Sequence, residues 1–97
     1  MRFEWDPAKD SANRAKHGIS FRQATALFTS GVDYLEIADV EHDGDEDRLI
    51  PIGPTSRGVI VVIFTERIDD TIRIISARAA TKREVRLYRQ HHEGAEP

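Results

Sequence analysis

The chain has 97 residues and a mass of 11.0 kDa, room for one domain with one core and no deep enclosed cofactor pocket. Hydrophobic residues at 39% and charged residues at 32% describe a globular body with a heavily charged surface. The absence of cysteine excludes disulfide scaffolds, thiol catalysis and cysteine-ligated zinc.

In chain order, Phe3 and Trp5 alternate with Glu4 as a brief strand. Asp6-Pro7 supplies an N-cap and a first-turn proline, and Gly18 a stop, so the first helix is expected between them. Ala8, Ala12 and Ala15 are its expected inward stripe, with Lys9, Asn13 and Lys16 on another stripe and His17 beside the C-terminus. Ser20-Phe21-Arg22-Gln23 is a capping box that opens a second helix, whose inward residues are Phe21, Ala24, Leu27 and Phe28. A meander follows: strands over Tyr34 to Ala38, Leu49 to Ile52, Val59 to Thr65 and Thr71 to Ala77. Gly53 to Gly58 reads as a turn, and Pro51 as the mark of an edge or a bulge. Val59 to Thr65 is apolar on both faces and is expected at the sheet centre. Thr81-Lys82-Arg83-Glu84 is a second capping box, opening a C-terminal helix. Residues 1–92 are expected to form the domain, with 93–97 a frayed tail.

No apolar run exceeds the six residues Val59 to Phe64, and the first twenty residues hold no apolar stretch. Neither a membrane span nor a secretory signal is expected, which makes the cytoplasm the expected location. The net charge of −3 is unevenly spread. Residues 31–56 carry eight acids against Arg48 alone, whereas residues 73–89 carry six basic side chains against Glu84. A local basic stripe speaks to an anionic partner whatever the total.

The acidic loop fails as an EF-hand. With Gly44 at position six, Ile50 stands where the bidentate glutamate belongs. His91 and His92 are adjacent, about 100° apart on a helix, and cannot share one ion from one face. No metal and no cofactor are expected. His17, at a helix end where the dipole favours a cation, reads either as a cap or as a proton donor. Arg78, Lys82, Arg86 and Arg89 would line one face of a helix that began early enough. Arg73 lies inside an apolar strand and needs a partner there: a phosphate, or an acid such as Glu66. Glu84 reads as a cap, and Tyr88 as either a packing residue or a base-stacking one.

Three ordered blocks carry a resemblance. Phe3-Glu4-Trp5-Asp6 with Lys9, Asn13 and Lys16 to Phe21 forms the first, and Asp47-Arg48 with Val61 to Arg67 the second. Arg73 to Glu84 with Tyr88 forms the third. Together they resemble the BrnT toxin family over most of the chain. The resemblance implies a RelE-like α+β fold: a short N-terminal strand and two helices packed on an antiparallel sheet, with a C-terminal helix. It also implies the toxin of a type II toxin–antitoxin pair, an endoribonuclease that works without a metal. The implied partner is a BrnA-like antitoxin with a ribbon-helix-helix region, through which alone the complex would contact DNA.

Metal-free cleavage by the RNA's own 2′-OH needs a base, a proton for the leaving oxygen, and cations for the phosphorane. On that reading Glu66 is the expected base, and His17 and Lys16 are the expected proton donors. Arg48, Arg73 and Arg78 are expected to hold phosphate, with Lys82, Arg83, Arg86, Arg89 and Tyr88 along the RNA. A non-catalytic RNA- or ribosome-binding module would need the arginines only, and a degenerate toxin acting in operon regulation would need neither.

Overall fold

The three-dimensional structure is a computed structural model describing residues 1–31, 34–38, 49–56 and 58–94. The acidic loop and Arg48 lie outside the described residues. Five strands form one sheet in the order β1-β5-β4-β3-β2. They are β1 (Arg2–Glu4), β2 (Leu35–Ala38), β3 (Leu49–Thr55), β4 (Gly58–Arg67) and β5 (Thr71–Ala79). The helices are α1 (Pro7–His17), α2 (Phe21–Ala24), α3 (Ala26–Thr29) and α4 (Lys82–Gly94). β4 occupies the centre as its two-sided apolar pattern requires. The sheet is mixed rather than antiparallel, because β1 runs parallel to β5 through Arg2–Thr71, Phe3–Ile72 and Glu4–Arg73.

Local chemistry sets the helix ends. The Asp6 side chain accepts from the Ala8 amide, and Gly18 closes α1 at φ 72°, a left-handed angle that glycine adopts without a Cβ clash. Ser20 and Gln23 complete the first capping box. The expected second helix is broken in two at Thr25, whose amide is shared between the Phe21 and Arg22 carbonyls while its hydroxyl donates to Arg22 at 2.7 Å.

The core lies between α1–α3 and one face of the sheet. Phe21, Ala24 and Leu27 meet Ile60, Val62, Phe64, Ile72, Ile74 and Ala77 there, with Phe28 edge-on to Phe64 at 5.0 Å between centroids. Ile52 and Val61, on the opposite face, are also fully buried, and α4 packs across β3 and β2 on that side.

Three sequence expectations are corrected. Ala8, Ala12 and Ala15 are exposed, and Asn13 is the one buried residue of α1. Gly53 and Pro54 belong to β3 rather than to a turn. A Cβ on Gly53 would lie 2.6 Å from Leu27 Cδ1 and 2.8 Å from Tyr34 Cβ, so only glycine lets α3 approach. Pro51 sits in an interior strand, between the Leu49–Phe64 and Ile52–Val61 pairs, which keep one register and so show no bulge there. The bulge is in β5 instead. Ile63 pairs with Ser76 and Phe64 with Ile74, leaving Ile75 as the extra residue.

Asn13 replaces hydrophobic docking with hydrogen bonds. Its Nδ2 donates to the Ile19 carbonyl at 2.9 Å and the Ala77 carbonyl at 2.7 Å, while its Oδ1 accepts from the Ala77 amide at 3.2 Å. Asp10 Oδ1 accepts from the Phe21 amide at 2.8 Å. Next to Ala77, at the C-terminal end of β5, Arg78 forks onto Glu84 at 2.7 and 2.9 Å, and Glu84 also accepts from the Thr81 amide. The Arg78 hydrogen bonds are the main reason the Glu84 carboxyl falls to about 2.

Asn13→Ala strands buried backbone groups of Ala77 and Ile19 and should cost about 2–4 kcal/mol in denaturant unfolding. Gly53→Ala should cost about 1–3 kcal/mol through overpacking. Because the folded carboxyl is depressed, the Glu84 contribution is fully present above 4.5 and disappears as pH falls toward 2. Glu84→Gln should therefore lower stability by about 1–2 kcal/mol at neutral pH, with the gap to the wild type closing in acid. A gap independent of pH would show that the Arg78–Glu84 pair contributes nothing.

Candidate active site along strand β5

β1 pairs with β5 only as far as Arg73, and beyond that point α1 takes the place of a neighbouring strand. Asn13 bonds both the amide and the carbonyl of Ala77, as an adjacent strand would. Above this junction Lys9, Ala12, Asn13, Lys16 and His17 form one wall of an open groove of about 220 Å³, and Ile75 and Ser76 form the other. The groove thus gathers two lysines, a half-buried histidine and a hydroxyl. A second groove, of about 380 Å³, is lined among the described residues by Ala26, Ser30, Pro54, Thr55 and Ser56, none of them charged.

His17 and Lys16 are therefore brought together, on adjacent residues of one helix end. Lys9 and Ser76 join them. Lys9 was visible as the start of the stripe running through Asn13 to Lys16, whereas a single serine inside a β-branched strand carries no sequence signal.

Arg73 and Arg78 share the face of β5 that bears Ser76. Their cross-strand partners are Thr65, Ile63 and Val61, alternate residues of β4 and so on one side of the sheet. Two residues of strand rise put Arg78 about 7 Å from Ser76 along the backbone. Both arginines already have carboxylates. Arg73 pairs with Glu4 from β1 rather than with Glu66, and Arg78 with Glu84. Arg78 is thus a strand residue and does not belong to the helical stripe.

Glu66 stands apart. It pairs across the sheet with Ile72, whereas Arg73 pairs with Thr65, so the two side chains leave opposite faces of the sheet. It is exposed and lies within electrostatic reach of Tyr34, whose phenol is raised by burial first and then by Glu36 and Glu66. Lys82, Arg83, Arg86 and Arg89 are exposed on α4, and Tyr88 is half-buried on that helix. Among the described residues no three His, Asp or Glu side chains gather to hold a metal ion.

The crystal structure of the Brucella abortus ribonuclease toxin, BrnT, is similar over 84% of this chain and 99% of its own, at 29% identity and a TM-score of 0.65. No curated protein matches the chain significantly. Residues 5–84 match the family described as ribonuclease toxin, BrnT, of type II toxin–antitoxin system. Matched over most of its length, the chain belongs to the BrnT family of ribonuclease toxins of type II toxin–antitoxin systems.

Proposed function

We propose that the chain is a RelE-like, cytoplasmic endoribonuclease that cleaves single-stranded RNA without a metal and thereby inhibits translation and growth. Its site is the groove between α1 and β5. The observation that carries this reading is the meeting of His17, Lys16 and Lys9 with Ser76 in one open groove at the sheet edge. Such a groove admits an extended phosphodiester, and its side chains can supply each group the chemistry requires.

In the reaction the 2′-oxygen attacks the adjacent phosphorus as the bond from phosphorus to the 5′-oxygen breaks. A cyclic 2′,3′-phosphate and a free 5′-hydroxyl result. His17 accepts the 2′-OH proton, Lys16 donates one to the departing 5′-oxygen, and the two residues re-equilibrate through solvent. Lys9 offsets the charge gathering on the phosphorane oxygens, and Arg73, paired with Glu4, adds to the positive field beside the groove. The base is thus His17 rather than Glu66, which pairs across the sheet with Ile72, four residues along β5 from Ser76. Arg78 is held by Glu84 and contributes to the field, not to a bidentate phosphate contact.

As a type II toxin the chain has an antitoxin partner, for which we propose a BrnA-like, ribbon-helix-helix protein. An acidic segment of that partner fits the exposed Lys82, Arg83, Arg86 and Arg89 of α4, which would otherwise guide RNA toward the groove. Hydrogen-exchange protection in the complex should then concentrate on α4; protection confined to α1 and α2 would refute the assignment.

Purified protein should cut single-stranded RNA in excess chelator and leave 2′,3′-cyclic or 3′-phosphate ends. Loss of activity in chelator with recovery on adding magnesium, or 5′-phosphate products, would overturn the mechanism. His17→Ala should slow cleavage by roughly 10²–10⁴-fold with the melting transition retained. Glu66→Gln should cut within about twofold of the wild-type rate; a loss as large as that of His17→Ala would return the base to Glu66. Arg73→Ala should weaken both RNA binding and cleavage, and more so at low salt.

A further inference from the structure

The orientation of the Asn13 amide has a consequence for Ser76. Two carbonyl oxygens, those of Ile19 and Ala77, lie within 2.9 Å of Nδ2, so that atom must be the nitrogen. The amide oxygen then faces the Ala77 amide at 3.2 Å and the Ser76 hydroxyl at 3.4 Å. Both groups can only donate to it. Through this long hydrogen bond the Ser76 proton has its acceptor in Asn13, which leaves the oxygen's lone pairs for the groove that Ser76 lines.

A phosphate brings only acceptors to such an oxygen, and Lys9 and Lys16 in the same groove are its natural partners. A ribose 2′-OH brings a donor. We infer that Ser76, with its proton directed to Asn13, accepts a hydrogen bond from the 2′-hydroxyl of a nucleotide next to the one that is cleaved, and so makes the groove prefer RNA to DNA. Ser76 is on this account a specificity-determining residue, and Asn13 the residue that fixes its polarity. The inference rests on the groove being the RNA site, but not on any assignment of base or acid. DNA lacks the hydroxyl, and a DNA strand in the groove leaves the Ser76 oxygen without its donor.

Short single strands carrying a 2′-amino group or a 2′-fluorine test this, because neither has a 2′-OH to attack phosphorus. The amino group donates and the fluorine does not. Wild-type protein at slightly alkaline pH and fixed salt should bind the 2′-amino strand roughly two- to tenfold more tightly than the 2′-fluoro strand. Ser76→Ala should abolish the difference while keeping the affinity for the 2′-fluoro strand, and Ser76→Thr should retain it. Ser76→Cys, close in size and a poor acceptor, should behave like Ser76→Ala, so a folding defect in one variant leaves the test standing. An amino-to-fluoro ratio near one in the wild type, or a preference unchanged in Ser76→Ala and Ser76→Cys, would overturn the assignment. Cleavage by a protein without the preference would sink this inference alone. A preference in a protein that never cuts would sink the proposed reaction alone.

Discussion

The carboxamide of Asn13 holds the functional half of the molecule together. Past Arg73 no strand among the described residues pairs with the outer side of β5, and without Asn13 the buried Ala77 would present an unpaired amide and carbonyl there. A side chain that donates and accepts at once satisfies both groups, and its spare donor reaches Ile19 just beyond the helix. An apolar helix face could have docked here but would have left those groups stranded. The polar solution fixes the rotation of α1 about its own axis, because hydrogen bonds are directional in a way apolar contact is not. That rotation puts Lys9 and Lys16 on the rim of a groove rather than free in solvent.

The arginines follow a different rule. Arg73 and Arg78 lie on a strand, at positions too enclosed for an unpaired guanidinium and too open for an apolar side chain. Each is matched by a carboxylate from the next element along: Glu4 of β1 and Glu84 of α4. Glu84 is engaged twice, capping α4 through Thr81 and holding Arg78, so the helix start and the strand end are fixed as one unit. The formal surplus of five positive charges over residues 73–89 therefore overstates what a ligand meets. The cations on offer are the exposed ones, on α4 and along the groove.

The caps were the most legible part of the fold, since Asp6, Ser20, Gln23, Thr81 and Glu84 act within three residues of themselves, where sequence distance and spatial distance agree. The central strand was legible because two-sided burial leaves an unbroken apolar run. What escaped was decided by remote partners. The alanine stripe of α1 has the period of an inward face, but the face was chosen by hydrogen bonds to Ala77, sixty-four residues away. Gly53 carries the composition of a turn and is held in a strand by the approach of Leu27 and Tyr34. Glu66 and Arg73 looked like partners on adjacent strands; the register put them on opposite faces, and Glu4 arrived from β1, a strand legible in the alternation of Phe3 and Trp5 whose parallel pairing with β5 no local pattern announced. In the site, His17 and Lys16 stood out by type and position, while Ser76 acquires its place only through the bulge at Ile75.

That bulge links the core to the groove. In a regular strand Ile74 and Ala77, three residues apart, would face opposite ways, yet both are buried in the same core cluster. The extra residue at Ile75 restores them to one side and frees Ser76 to meet α1 across the edge. A chain of this size cannot enclose a cavity deep enough for a buried active site, because its few fully buried apolar side chains are committed to packing the two faces of one sheet. It can build a groove where a sheet ends and a helix substitutes for the next strand. The backbone irregularity there costs little, as Asn13 supplies the missing partners, and the resulting trough is open at the edge of the sheet. Such a trough suits a long, flexible polyanion, which needs no enclosure and is held by charge along its length. The location of the candidate site thus follows from the limit on core size and from a single directional side chain.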